Sequence, residues 1–306
     1  MINALLKIEI GIDPTLVDFA GIEVTWHGVF TALAVIVGVA IAAWLGRRMG
    51  YSEDMIYNAA LALVIGGIIG ARSLYVIENW SDFENDLGKI FSLNAGGISI
   101  YGALIGGAIG GLGYGYFAKV PNITRAIDIG AIGAIMGMAI GRFGDIINGE
   151  HFAESTGLPW GVVYTDPNSP AFPLRLDPQH PAVAYELIGD LFIFLALVVI
   201  YTRLPRAGVT FFAWLFLYGF LRFWVSFLRL DDEILAGLTT AQVIALAAMP
   251  IGLGGVAYLL RTLPPEERAE RKRERRLAHE ESSMLDQPAA SEPPAAEPPA
   301  EEPQVE

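Results

Sequence analysis

The stretch Thr124–Glu150 reads TRAIDIGAIGAIMGMAIGRFGDIINGE. From Ile129 to Gly141 it holds no charged side chain, and glycines recur four apart at Gly133, Gly137 and Gly141. A soluble helix keeps a polar face toward water, and this run offers none. Small residues at that spacing let helix backbones approach closely in lipid. The segment is therefore expected to span a membrane over 124–142. A dense polar block, Arg142, Asp145, Asn148 and Glu150, stands directly behind its last apolar residue.

Six further apolar runs repeat the pattern, at 23–46, 57–79, 97–118, 182–202, 209–229 and 239–261. Each is long enough for a hydrocarbon core, which takes roughly 17–25 residues of helix. The third carries its own glycine series, Gly102, Gly106 and Gly110. The expected fold class is all-α, a seven-span transmembrane helical bundle. Composition agrees: of 306 residues 53% are hydrophobic, only 17% are charged and 34 are glycine, which excludes an ordinary cytosolic enzyme. The first run is not read as a cleavable signal peptide, because no basic segment precedes it and six spans follow.

Three parts are expected: an external N-terminal segment at 1–22, a membrane domain at 23–261 with one external loop at about 143–181, and a cytoplasmic tail at 262–306. The tail is charged at first, then rich in Pro, Ala and Glu and expected to be disordered from about 282. Basic residues between spans set orientation. Alternate connections carry Arg47 and Arg48, Lys119 and Arg125, Arg203 and Arg206, and the tail from Arg261. The others hold only Lys7, Lys89 and Arg175 among many acids. The N-terminus is thus placed outside and the C-terminus in the cytoplasm, as an odd number of spans requires.

The net charge of −13 divides into −6 for residues 262–306 and −7 for the rest, so no basic patch is available for nucleic acid. The basic run Arg268–Arg276 is interleaved with glutamates. Zero cysteines exclude a disulfide framework, a thiolate metal site and a cysteine nucleophile. Any thiol in the chemistry must arrive on a substrate. The four histidines, His27, His151, His180 and His279, show no H-x₃-H spacing, so no metal site is expected.

Ionisable groups inside spans are costly and mark a path or pocket by default. Arg72 lies mid-span with Tyr75 and Asn79 on one helical face, and Tyr218, Arg222, Ser226 and Arg229 form a second polar stripe. Arg142 closes the fourth span. A lone arginine at such depth snorkels to the headgroups. Three, all on the outer side of their helices and accompanied by Tyr or Asn, point instead to a shared cavity for an anion. Guanidinium is suited to phosphate, because its planar fork makes bidentate bonds, and phospholipid headgroups supply phosphate at that level. Spacing alone leaves transport and chemistry equally open.

The pieces Trp26-His27-Gly28, Gly70-Ala71-Arg72 with Tyr75-Val76, Gly96-Gly97-Ile98-Ser99-Ile100-Tyr101-Gly102, Gly141–Glu150, Pro159-Trp160-Gly161, His180-Pro181 with Tyr185-Glu186, and Tyr218–Phe223 with Arg229 occur in this order. On them the chain resembles the bacterial phosphatidylglycerol–prolipoprotein diacylglyceryl transferase family over roughly residues 20–262. The resemblance implies transfer of the diacylglyceryl group of phosphatidylglycerol to the lipobox cysteine thiol of a prolipoprotein. Glycerol phosphate would leave and a thioether would form, in the bacterial plasma (inner) membrane. No metal or organic cofactor is implied; the expected partners are phosphatidylglycerol, the prolipoprotein lipobox and the lipid bilayer.

Site roles implied by the resemblance follow. Arg142 would hold the phosphate, and Arg222 would stabilise the leaving phosphomonoester. Tyr218 and Asn148 would orient the headgroup, with Arg72 and His180 lining the substrate site. Glu150 would fix Arg142 or help the thiol lose its proton. Where many members carry a histidine proposed as base this chain has Tyr101; the first asparagine of the signature block is Asp145; and an acid expected four residues after Arg222 is Ser226. His27 stands where a tyrosine is common, so Tyr101 and His27 are both taken as catalytic candidates with exchanged roles. Two other classes remain: a non-catalytic phospholipid-binding paralogue, motivated by Tyr101 and Asp145, and a secondary transporter. Against the transporter stands the lack of paired inverted halves with matching broken spans.

Overall fold

Each apolar run folds as a helix, because in lipid every backbone amide must find its partner within the segment. The structure, a computed structural model, describes residues 7–19, 22–91, 97–173, 177–204 and 206–262, without the side chain of Ile22. The expected tail from 263 and its disorder from about 282 lie outside the described residues, as do Gly96 and Arg175. Seven long helices appear: α1 (Trp26–Arg48), α2 (Glu53–Glu78), α3 (Ile100–Phe117), α4 (Ile123–Asn148), α5 (Ala182–Arg203), α6 (Val209–Val225) and α7 (Thr240–Arg261).

Six of them are long and apolar enough to cross a membrane. The exception, α3, is only 18 residues long and diluted by glycine and tyrosine. The outer faces are apolar and open, with Ile36, Ile69, Phe192 and Ile109 all largely exposed. Such an inside-out surface needs lipid around it. The chain is a multi-pass membrane protein.

Local chemistry sets the helix ends. Thr25 Oγ1 accepts from the Gly28 amide at 3.1 Å and starts α1; Ser52 Oγ accepts from Met55 at 3.2 Å and starts α2, with Glu53 and Asp54 in its first turn. Both choices satisfy otherwise orphaned amides. The largest departure from expectation is at α4. It was expected to end at 142 but continues to Asn148, so the external connection begins six residues later than the sequence suggests. Arg142 does not break the helix because it pairs with Asp145 one turn on, at 3.0 Å. Gly149 then ends it at φ 75°, where a side chain would collide with Tyr164 and Ser169.

Glycine decides which helices touch. Gly66 and Gly70 of α2 face Gly102, Gly106 and Gly110 of α3 so closely that a Cβ at any of the five would overlap opposing backbone. On α4, Gly133 meets Gly38 of α1, Gly137 meets Ala34, and Gly144 meets the His27 backbone. Gly141, which shares the sequence spacing, has nothing within 4 Å. Side chains fill the other interface: Ile132 and Ile135 of α4 pack with Ile193 and Leu197 of α5 and Ala213 of α6.

Strands, absent from the all-α expectation, form three two-stranded pairs among the described residues. β1 (Ile8–Ile10) runs parallel to β4 (Val162–Tyr164), β2 (Thr15–Phe19) and β3 (Ile22–Thr25) make a hairpin entering α1, and β5 (Glu233–Leu235) and β6 (Leu238–Thr239) make another before α7. The segment after α4 is stapled to it: Tyr164 donates to the Ile146 carbonyl at 2.9 Å and Ser169 to that of Asn148 at 3.2 Å. Burial pushes the Tyr164 hydroxyl up to about 12, with the Asp145 charge adding to it, so it remains a donor.

Candidate active site

Charge gathers where the ends of α4 and α6 meet the start of α5. Arg142 of α4 reaches Glu186 of α5 through Nη2 at 2.6 Å, Asp145 through Nη1 at 3.0 Å, and approaches Asp190 with Nε at 3.9 Å. Arg222 of α6 binds the other oxygen of the same Glu186 carboxylate and lies 3.5 Å from Asp231. Glu186 and Asp190 are buried. One carboxylate thus bridges two guanidiniums from different helices. Without it those like charges would repel each other in a setting of low dielectric.

The cluster continues outward. Arg229 holds Asp231 through Nε at 2.9 Å and Nη2 at 3.1 Å and meets His151 Nδ1 at 3.0 Å. Burial alone would raise the Asp231 carboxyl; the Arg229 hydrogen bond and charge, helped by Arg222 and His151, hold it below its ordinary value. Asp145 is the inner junction: His27 Nδ1 lies 2.9 Å from its Oδ1, and His151 Nε2 lies 3.7 Å from its Oδ2. Three guanidiniums therefore meet four carboxylates.

Folding brings together several residues singled out in the sequence. Arg142, Arg222 and Tyr218 converge, Tyr218 lying near enough to Arg142, Glu186, Arg222 and Asp190 to sense their charges. Its ring stacks on Trp214 at 6.1 Å. His27 joins through Asp145. Glu150 is exposed beside His27 and Asp145 rather than on Arg142. Asn148 closes α4, its carbonyl taken by Ser169. Ser226 returns its hydroxyl to the Arg222 carbonyl at 2.7 Å, an ordinary closure of the helix end.

Others stand apart. Arg72 aims all three of its nitrogens at backbone carbonyls: Nε at Ile90 (2.9 Å), Nη1 at Gly97 (2.8 Å) and Nη2 at Lys89 (2.7 Å). Phe83 and Tyr75 flank the guanidinium at 5.2 and 5.7 Å. It clamps the connection between α2 and α3 instead of joining Arg142 and Arg222. The Tyr101 hydroxyl, in the first turn of α3, makes no hydrogen bond among the described residues. His180 lines an apolar cavity of about 430 Å³ beneath Trp160 and Tyr185, with His151 in its wall. Trp160 Nε1 donates to Tyr185 at 2.8 Å.

His27, Asp145 and Glu150 each offer a possible ligand atom within 4.8 Å of the others, a grouping that histidine spacing could not reveal. Both Asp145 oxygens are already engaged, Oδ1 by His27 and Oδ2 by Arg142, so the set reads as a polar junction between helices. Glu186, Asp190, Asp231 and His151 were missed as site residues. A signal existed for two: Glu186 and Asp190 are acids one turn apart inside the apolar fifth span, and such groups are functional by default.

The family model described as Prolipoprotein diacylglyceryl transferase matches residues 14–258. Among similar proteins, the phosphatidylglycerol–prolipoprotein diacylglyceryl transferase of Nostoc sp. strain PCC 7120 is 34% identical over 252 residues, 80% of this chain and 89% of that protein. Its namesake from Clostridioides difficile strain 630 is 34% identical over 241 residues, 78% and 92% of the two chains. That from Acaryochloris marina strain MBIC 11017 is 31% identical over 261 residues, 84% and 95%.

Proposed function

The chain belongs to the prolipoprotein diacylglyceryl transferase family, and from that premise we propose that it transfers the diacylglyceryl group of phosphatidylglycerol to the lipobox cysteine thiol of prolipoproteins. This is the first step of bacterial lipoprotein maturation. The observation that carries the reading is Glu186 bridging Arg142 and Arg222. A two-oxygen anion already sits between two guanidiniums from separate helices, and a phosphodiester presents the same pair of oxygens. Glu186 holds the two guanidiniums together against their mutual repulsion, where the headgroup phosphate binds them.

The mechanism then needs little beyond placement and charge. Arg142 and Arg222 hold the phosphate and gain strength as the leaving group becomes a phosphomonoester with added negative charge. Tyr218 and Asn148 orient the glycerol, Glu150 and His27 stand at the mouth, and Tyr101 and His180 border the approach of the polypeptide. Arg72 supports the site indirectly, by holding the carbonyls of Lys89, Ile90 and Gly97. The sulfur attacks the glyceryl carbon, the carbon–oxygen bond to phosphate breaks, and the oxygen departs with the electron pair.

We read all seven helices as spans, α3 included, since its glycines bring it into continuous backbone contact with α2. The connections rich in arginine and lysine favour an extracytoplasmic N-terminus, a cytoplasmic C-terminus and residence in the bacterial inner membrane. The charged cluster then opens toward the outer leaflet. The test is incubation of the purified full chain with phosphatidylglycerol vesicles and a lipobox peptide, followed by mass analysis. A peptide heavier by one diacylglyceryl group is expected. Lipid binding with no thioether product would overturn the reading in favour of a non-catalytic lipid-binding relative.

A further inference from the structure

Thiol attack releases a proton, and the phosphate-binding arginines cannot accept it: guanidinium stays charged at any accessible pH. Among the described residues, the imidazole nearest a buried carboxylate is that of His27. His27 lies in the first turn of α1, whose start is fixed by Thr25. Gly144 lets α4 approach so closely that a Cβ there would stand 2.8 Å from the His27 Cα. The neighbouring Asp145 then meets His27 Nδ1 at 2.9 Å, while its second oxygen is held by Arg142 at 3.0 Å. The His27 side chain is 44% exposed, whereas that of Asp145 is 9% exposed. The carboxylate is inside, and the ring leads outward.

We propose that His27 accepts the proton of the incoming cysteine thiol through Nε2, and that Asp145 is its positioning residue. The partner on one imidazole nitrogen sets the tautomer and so the role of the other. The Asp145 carboxylate 2.9 Å from Nδ1 favours the proton of the neutral ring on that nitrogen, although the two are not aligned as a hydrogen bond in this structure. The lone pair is thereby left on Nε2. In the step itself, the S–H bond breaks toward Nε2, sulfur bonds to the glyceryl carbon, and the phosphate oxygen leaves with its electrons. The imidazolium formed is balanced by Asp145 and the nearby Glu150. The other charged groups at this junction are Arg142 and His151, both reached through Asp145. Asp145 thereby joins the base to the anion site: one oxygen steadies the proton acceptor and the other the phosphate-binding arginine.

This inference rests on the transfer reaction proposed above, and the experiment separates the two. Initial rates of lipobox-peptide modification are measured from pH 6 to 9.5 with full-length protein in phosphatidylglycerol vesicles, for the unaltered chain, His27→Gln and Asp145→Asn. At neutral pH His27→Gln should lose about 10²–10⁴-fold in kcat, the usual contribution of a positioned base, with KM for phosphatidylglycerol within a few-fold. Its rate should then climb about tenfold per pH unit until the peptide thiol ionises by itself near its pKa of about 8.5, while the unaltered chain stays comparatively flat. Asp145→Asn should show the same recovery from a smaller loss. A purely structural role would not produce recovery at high pH.

Identical pH profiles for His27→Gln and the unaltered chain would overturn the assignment, as would a Tyr101→Phe variant that loses the rate while His27→Gln keeps it. If His27→Gln fails to fold, the Asp145→Asn profile decides in the same way. An unaltered chain that makes no thioether at any pH would instead sink the transfer reaction.

Discussion

The two ends of α4 each bury an aspartate, and they use it in opposite ways. At the end near the α5–α6 connection, Asp128 is fully buried and both oxygens are taken by backbone amides, Gly208 at 2.7 Å and Phe211 at 2.8 Å. It caps the first turn of α6 from across an interface, and neither of its oxygens is left over. At the other end, Asp145 shares Arg142 with Glu186 and Asp190, and Asp190 has both oxygens buried with no hydrogen-bond partner among the described residues. Arg142 Nε is likewise buried and unpaired by hydrogen bonds. A carboxylate with both oxygens matched stabilises a fold, whereas a buried carboxylate without a hydrogen-bond partner beside a guanidinium calls for an explanation, which an anion site supplies.

Substitutions can break or sharpen this contrast. The largest effect is expected at Arg142→Ala, which should abolish thioether formation in the vesicle assay while the protein remains extractable from membranes; full activity would refute the anion site. Arg142→Lys should fail nearly as badly, since a point charge cannot span Glu186, Asp145 and a phosphate together. Next comes Glu186→Gln. It removes the charge between two guanidiniums and should cut kcat/KM for phosphatidylglycerol by about 10–100-fold, consistent with losing one partner of a buried charged pair. If transfer is unchanged, the bridging role is wrong.

Asp128→Ala is the control at the opposite end. It leaves two amides of α6 uncapped and should destabilise the fold by about 3 kcal/mol, read as a lower thermal-unfolding midpoint in detergent, with kcat altered less than threefold. A large loss of kcat there would erase the distinction between the ends. The smallest contrast lies between two glycines three residues apart. Gly144→Ala should push His27 away from Asp145 and lower kcat by about tenfold, whereas Gly141→Ala meets open space and should raise helix stability slightly.

Much of the architecture was legible locally. Apolar length located all seven helices, and glycines four apart foretold close backbone approach at α3 and α4, while their partners α2 and α1 emerge only in the fold. Gly141 shows the limit of that reading: it has the right spacing, yet no neighbouring backbone reaches it. The end of α4 was misjudged because Arg142 looks like a terminus until its partners on α5 are known. Arg72 misled for the same reason. In sequence it is another arginine on the outer side of a span; in space its three nitrogens find carbonyls at 89, 90 and 97.

By itself, the order of residues determined that this chain lives in a bilayer and where its helices run. Those properties depend on transfer of side chains from water to hydrocarbon and on a 3.6-residue period, both local. Which arginine meets which acid was decided only by tertiary structure. An ion pair depends on separations of a few ångströms between residues such as Arg142, Glu186 and Arg222, and those separations exist only once glycine contacts and side-chain packing have set the distances between helices.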